Sequence, residues 1–198
     1  MLKIGNYNTL PVVKIVDFGV YLDGGEGREI LLPRRYVGRL PEVGDKLDVF
    51  VYTDSEDRLI ATTEHPVATV GEFAYMQVTQ VNRVGAFLDW GLSGKNLLVP
   101  FREQRSAMRE GGIYLVYVYL DDVTGRVAAS AKVDKFLGNV IADYKRGDKV
   151  DALIIEHNES GYKAIVDNLH NGLFYNSDIY SPLVLEQHIE ASVKNVRP

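Results

Sequence analysis

Arg102, Arg105 and Arg109 stand three and four residues apart, a spacing that predicts one side of a helix. Arg34, Arg35 and Arg39 form a second basic cluster, and Arg126, Lys132 and Lys135 a third. Cations grouped in this way suit the phosphates of a polynucleotide, and flat rings beside them would stack on its bases. The formal net charge of −5 argues against a simple polyanion magnet, so the distribution of charge matters more than its sum. Residues 65–140 hold 8 Lys/Arg against 7 Asp/Glu, whereas residues 1–64 hold 8 against 11 and residues 141–198 hold 6 against 9. The middle of the chain is where electrostatics favour a polyanion.

Chemistry of other kinds finds no footing. There is no phosphate-binding glycine loop with its lysine, no nucleophile elbow and no histidine–carboxylate ligand spacing. The four histidines, at 65, 157, 170 and 188, are scattered, and there is no cysteine. Thiolate metal sites and disulfides are therefore excluded, and a reducing cytoplasm is the expected setting. Asp121-Asp122 precedes Thr124-Gly125 in an apparent hairpin turn, where aspartate serves turn geometry. No enzymatic activity, cofactor or metal is expected. No apolar run reaches the roughly 20 residues that span a bilayer, and Met1-Leu2-Lys3-Ile4-Gly5 does not read as a secretion leader.

The elements that would position the cations and rings recur three times. A glycine opens each copy, at 5, 71 and 147, and a hydrophobic strand runs from it into a second glycine, at 19, 85 and 161. A period of 66 and then 76 residues is domain-sized. Each copy continues with a second strand (20–23, 86–90, 163–167), a short third (29–33, 96–100, 172–175) and a fourth (44–52, 112–120, 189–194). A fifth follows in the first two copies (57–62, 124–130). β-Branched and aromatic residues fill these runs, with Gly, Asp, Asn and Pro between them. Leu47, Val49 and Val51 alternate with Asp48, Phe50 and Tyr52, which predicts one buried face and one partly exposed face. Five short antiparallel strands in such a length describe a small closed barrel. The expected boundaries are barrels at 1–65, 66–134 and 147–198, with a helical linker over 135–146. Helices are expected over 101–109 and 133–144, and the lone Trp90 is expected at an interdomain seam. The third copy stops before its fifth strand, which reads as the end of a fragment.

The order Phe18-Gly19-Val20-Tyr21, apolar third strand, Gly44-Asp45-Lys46-Leu47 resembles the RNA-binding domain named after ribosomal protein S-one, an OB-fold barrel. Gly85-Ala86-Phe87, Ser130-Ala131-Lys132 and Gly172-Leu173-Phe174-Tyr175-Asn176-Ser177-Asp178 carry the same likeness in the other copies. Over its whole length the chain resembles the bacterial conserved virulence factor B, or YitL, family, through Leu97-Leu98-Val99-Pro100-Phe101, Tyr114 to Asp121 and Val127 to Lys132. The fold class implied is all-β, with tandem five-stranded OB barrels, the third incomplete, and short connecting helices.

The resemblance also implies a function: a non-catalytic binder of single-stranded RNA, or DNA, that regulates gene expression. A winged-helix domain would follow the barrels in the full-length protein. The alternative is a scaffold of degenerate barrels that recruits RNA-processing, ribosomal or transcription components.

In the resembled domain two aromatics flank the glycine turn and a histidine on strand three completes a stacking platform. Phe18 and Tyr21 match both aromatics in copy one, with Leu32 at the histidine position. Val84 replaces the first aromatic in copy two, Phe87 keeps the second, and Val99 stands for the histidine. In copy three Ser160 and Lys163 replace the aromatics while Tyr175 takes the histidine position. The candidate RNA-binding residues are Phe18, Tyr21, Arg34, Arg35, Phe87, Arg102, Arg105, Arg109, Arg126, Lys132, Lys163 and Tyr175.

Overall fold

A computed structural model describes residues 1–198. The chain folds as three successive β-sheets and contains no α-helix. The first sheet is a closed barrel of β1 (Asn6–Val16), β2 (Gly19–Asp23), β3 (Glu29–Pro33), β4 (Lys46–Thr53) and β5 (Leu59–Thr62), ordered β1-β2-β3-β5-β4. Its pairings are antiparallel except where β5 meets β3, at Leu31 and Ile60. The second sheet holds β6 (Phe73–Asn82), β7 (Gly85–Leu92), β8 (Lys95–Pro100), β9 (Ile113–Leu120) and β10 (Val127–Ser130), ordered β10-β9-β6-β7-β8. The third holds β11 (Lys149–Asn158), β12 (Gly161–Val166), β13 (His170–Tyr175) and β14 (His188–Ser192), ordered β13-β12-β11-β14. The all-β, OB-type class read from the sequence is what the chain adopts, and no helix is long and apolar enough to cross a membrane.

The first strand of each sheet carries an irregularity at the same place. In β1 the register shifts between Val12 and Lys14, in β6 between Val78 and Gln80, and in β11 between Ile154 and Glu156. An extra residue in one strand increases the local twist and re-aims the side chains beyond it. Upstream of the shift Leu10 and Val12 enter the first core; downstream, Lys14 and Ile15 face outwards.

Residues 1–132 form one compact unit and residues 133–198 another. Within the first unit the two barrels share a core. Val49 and Val51 of β4 fill the first barrel, but Phe50 and Tyr52 on the other face of the strand are buried as well. The partly exposed face expected for Phe50 and Tyr52 is instead covered by Trp90 of the second barrel. The Trp90 ring meets Phe50 edge-on at 5.4 Å and Tyr52 at 6.3 Å. Its Nε1–H donates to the Ala68 carbonyl at 2.7 Å, so the only polar atom of this buried side chain is satisfied. The short junction is also laced to the first barrel, because Val70 N–H donates to the Gly5 carbonyl at 2.9 Å. In the second unit Ala152, Ile154, Tyr162 and Ala164 form the centre of the core, with Phe174, Ile179, Leu183 and Ile189 half-buried against them.

Both expected helices are absent, for local reasons. Over 101–109 only Phe101–Glu103 makes a 3-10 turn. The Gln104 side chain then donates to the Val99 carbonyl at 3.1 Å and accepts from Met108 N–H at 3.3 Å, which folds the segment back and buries Met108. Over 133–144 only Val133–Phe136 turns. Gly138, at φ 72°, breaks the path after the buried Leu137, and Val140 and Ile141 are left exposed. Residues 135–146 are therefore not a helical linker.

Trp90→Ala should cost about 3–5 kcal/mol, as for a fully buried large ring. Because the ring serves both barrels, denaturant melts of the wild type should show residues 1–132 unfolding in one transition. The variant should split or broaden that transition.

Candidate nucleic-acid interface

Each sheet brings its second and third strands together at a glycine held close to a carbonyl. A Cβ on Gly19 would lie 2.2 Å from the Leu32 oxygen, on Gly85 2.3 Å from that of Val99, and on Gly161 1.9 Å from that of Phe174. All three have positive φ, between 146° and 155°. The pairing that results sets Gly19 opposite Pro33, Gly85 opposite Pro100 and Gly161 opposite Tyr175. Pro33 and Pro100, not Leu32 and Val99, thus occupy the place that Tyr175 holds in the third sheet. Leu32 and Val99 point inwards and are fully buried. Sequence alone misplaced them by one residue, because an apolar run gives no mark of which member faces in.

The first barrel assembles rings and cations. Phe18 is 57% exposed and its ring meets the half-buried Tyr21 edge-on at 6.2 Å. The irregularity in β1 sets Lys14 opposite Tyr21, with its Nζ 4.8 Å above the ring centroid. Lys14 was not among the sequence candidates; the extra Val13, which breaks the alternation just before it, is the signal that would have found it. Arg34 and Arg35 are exposed on the 3-10 turn Arg34–Tyr36, and Arg34 N–H donates to the Phe18 carbonyl at 2.8 Å. Arg35 lies over the Tyr36 ring at 4.7 Å.

The equivalent positions change character along the chain. In the second barrel Gln80 faces the half-buried Phe87. In the third sheet Glu156 faces Lys163, and their side chains pair at 3.4 Å. A cation beside a ring has become an ion pair that holds its own lysine, which leaves Lys163 less available to a phosphate. Tyr175 is 37% exposed but carries the Arg197 guanidinium over its ring at 5.6 Å.

The three arginines 102, 105 and 109 do not share a helix face. Arg102 pairs with Asp121 at 3.3 Å, while Arg105 and Arg109 are exposed along the connector that follows Glu103. Lys132 is exposed as well. Arg126, in the turn between β9 and β10, reaches the first barrel and bridges Asp57 in the turn between β4 and β5. Its guanidinium thus fastens one barrel to the other. Beside it Lys95, half-buried, donates to the Asp54 carbonyl at 3.4 Å, and desolvation lowers its pKa.

Residues 4–64 match the S1 domain family. The chain is 35% identical over 99 residues to YitL of Bacillus subtilis, a match that covers 50% of this chain and 33% of that protein. It is 27% identical over 158 residues to conserved virulence factor B of Staphylococcus epidermidis, covering 75% of this chain and 53% of the relative. The chain thus matches only about half, or less, of these relatives' length. Among solved structures, a multidomain protein with nucleic acid binding domains from Streptococcus pneumoniae aligns over 98% of this chain and 70% of its own, with a TM-score of 0.56 at 20% identity. That likeness shows a shared fold.

The Arg126–Asp57 bridge has a pH signature. The hydrogen bond and charge of Arg126 hold the Asp57 carboxyl below its ordinary value. Its contribution is therefore present above the unfolded pKa, near 4, and is lost as pH falls through the depressed folded value. The gap in thermal midpoint between wild type and Asp57→Asn should be present at pH 6 and shrink progressively as pH falls below the ordinary carboxylate range. It should also shrink in high salt, since both partners are exposed. Equal midpoints at pH 6 and low salt would mean that the bridge adds no stability.

Proposed function

We propose that this chain, whose first barrel is an S1 domain and whose relatives are YitL and conserved virulence factor B, binds single-stranded RNA without catalysing a reaction. The observation that carries the reading is the group on the first barrel: Phe18 exposed beside Tyr21, Lys14 over the Tyr21 ring, and Arg34 and Arg35 on the adjoining turn. Rings of this kind stack on bases of any identity, at roughly 1–3 kcal/mol per base. Cations beside them meet the phosphates, so binding is tolerant of sequence and sensitive to salt. The connector bearing Arg105 and Arg109 adds positive charge from the second barrel.

Several weak sites on one chain raise affinity through effective concentration. A regulatory role in gene expression, in the cytoplasm, fits such a binder; the staphylococcal relatives are named as a virulence factor. A winged-helix domain in the full-length protein is part of the reading that the family resemblance implies. The third sheet supports a second reading for its own part of the chain. With Lys163 paired to Glu156 and a balance of 6 Lys/Arg against 9 Asp/Glu over 141–198, it suits protein contacts better than phosphates.

Titration with a labelled single-stranded RNA oligonucleotide should give binding at low salt that weakens steeply as salt rises. Phe18→Ala should weaken it by about fivefold or more, the equivalent of one lost stacking contact. Replacing Arg105 and Arg109 by Gln should flatten the slope of log affinity against log salt by about 1.4, at about 0.7 per phosphate contact. Absence of binding at low salt would sink the RNA reading and favour the scaffold. Lys163→Gln should leave the slope unchanged.

A further inference from the structure

The first two barrels carry a ring and a cation beside the glycine turn, but on opposite sides of it. In the first barrel the turn into β2 reads Asp17-Phe18-Gly19, and the turn after β3 opens with Arg34. In the second, the turn into β7 reads Arg83-Val84-Gly85, and the turn after β8 opens with Phe101. The pairings of Gly19 with Pro33 and of Gly85 with Pro100 make Val84 the counterpart of Phe18, and Phe101 that of Arg34. The third sheet has Glu159-Ser160 and Asn176 at these places, neither ring nor cation.

We infer that Arg83 and Phe101 form a nucleotide-binding step on the second barrel, in which ring and cation have exchanged sides. Phe101 stacks on one base of a single-stranded nucleic acid and Arg83 meets an adjoining phosphate. The inference rests on the RNA reading above and extends it to two residues outside the original candidates.

Isolated exposed rings are common on protein surfaces, so exposure alone would not carry this. Phe101 is 53% exposed, and Val84, its counterpart one residue beyond the Gly85–Pro100 pair, is 48% exposed, so both offer apolar surface at this end of the sheet. The step is braced. Phe101 follows Pro100, its carbonyl accepts from Gln104 N–H at 3.1 Å, and the Gln104 side chain ties the turn to Val99. A backbone held in this way loses little freedom on binding. Charge decides between occupants. Arg83, Arg105 and Arg109 are exposed, and no ion pair engages their guanidinium groups. Glu103, the acid nearest Phe101 in the chain, is engaged by the Ser130 hydroxyl. Glu110 accepts from Val81 N–H on β6, so one acid lies near this turn, against Arg83 on it and Arg105 and Arg109 further along the connector. Apolar surface with a local excess of cations fits bases carried on a polyanion.

The test uses the whole chain and two labelled probes, a single-stranded RNA and an abasic strand of the same length. Phe101→Ala should weaken binding to the RNA by about 5- to 150-fold, the range of one stacked base. It should leave the abasic strand within about twofold, because phosphates are still met. Phe101→Tyr should restore RNA binding, and Arg83→Gln should lower the salt slope by about 0.7. If Phe18→Ala weakens RNA binding while Phe101→Ala does not, the swapped step is wrong and the RNA reading stands. Equal loss on both probes would make Phe101 a structural residue and overturn the inference. No RNA binding by the wild type would overturn both readings.

Discussion

The close approach of a glycine to the carbonyl of the third strand is the constraint on which each sheet depends. The contact leaves no room for a Cβ at Gly19, Gly85 or Gly161, and the positive φ would strain any other residue. It fixes which residue of β3, β8 and β13 faces the turn, and so decides what lies beside it. The irregularity in the first strand completes the arrangement by turning one side chain towards the second strand. From these two features every sheet offers the same surface positions, and the side chains filling them determine what each can hold.

Those positions diverge in a consistent direction. Lys14 above Tyr21 becomes Gln80 beside Phe87 and then Glu156 paired with Lys163. At the turn, Phe18 and Arg34 become Val84 and Phe101, then Ser160 and Asn176. The backbone frame is kept while the ring and cation at these positions give way, from the first sheet to the third, to uncharged polar groups and an internal ion pair. Net charge alone misses this, because the only segment with a positive balance is the middle one and part of that charge, Arg102 and Arg126, is spent on protein carboxylates.

Much of the fold was legible in the sequence because it is written three times: glycine spacing and β-rich runs gave the strands, their order and the barrel class. Trp90 at a seam was also readable, since a lone tryptophan in an otherwise regular strand has few other uses. What the sequence did not show has physical causes. Arg102, Arg105 and Arg109 have helical spacing, but Gln104 forms hydrogen bonds that compete with a helix. Phe50 and Tyr52 read as a half-exposed face because the ring that covers them lies forty residues further on. Phe101 was hidden by its assignment to a helix, and Lys14 by an extra residue that alternation cannot anticipate.

The shared seam bears on how the molecule can be dissected. A cut through the junction at residues 66–70 would follow the family boundary, since the matched domain ends at 64. It would nevertheless strip the cover from Phe50 and Tyr52 on one piece and from Trp90 on the other. Each half would then show a sticky aromatic patch to solvent, inviting self-association. The natural experimental particle is the pair, residues 1–132.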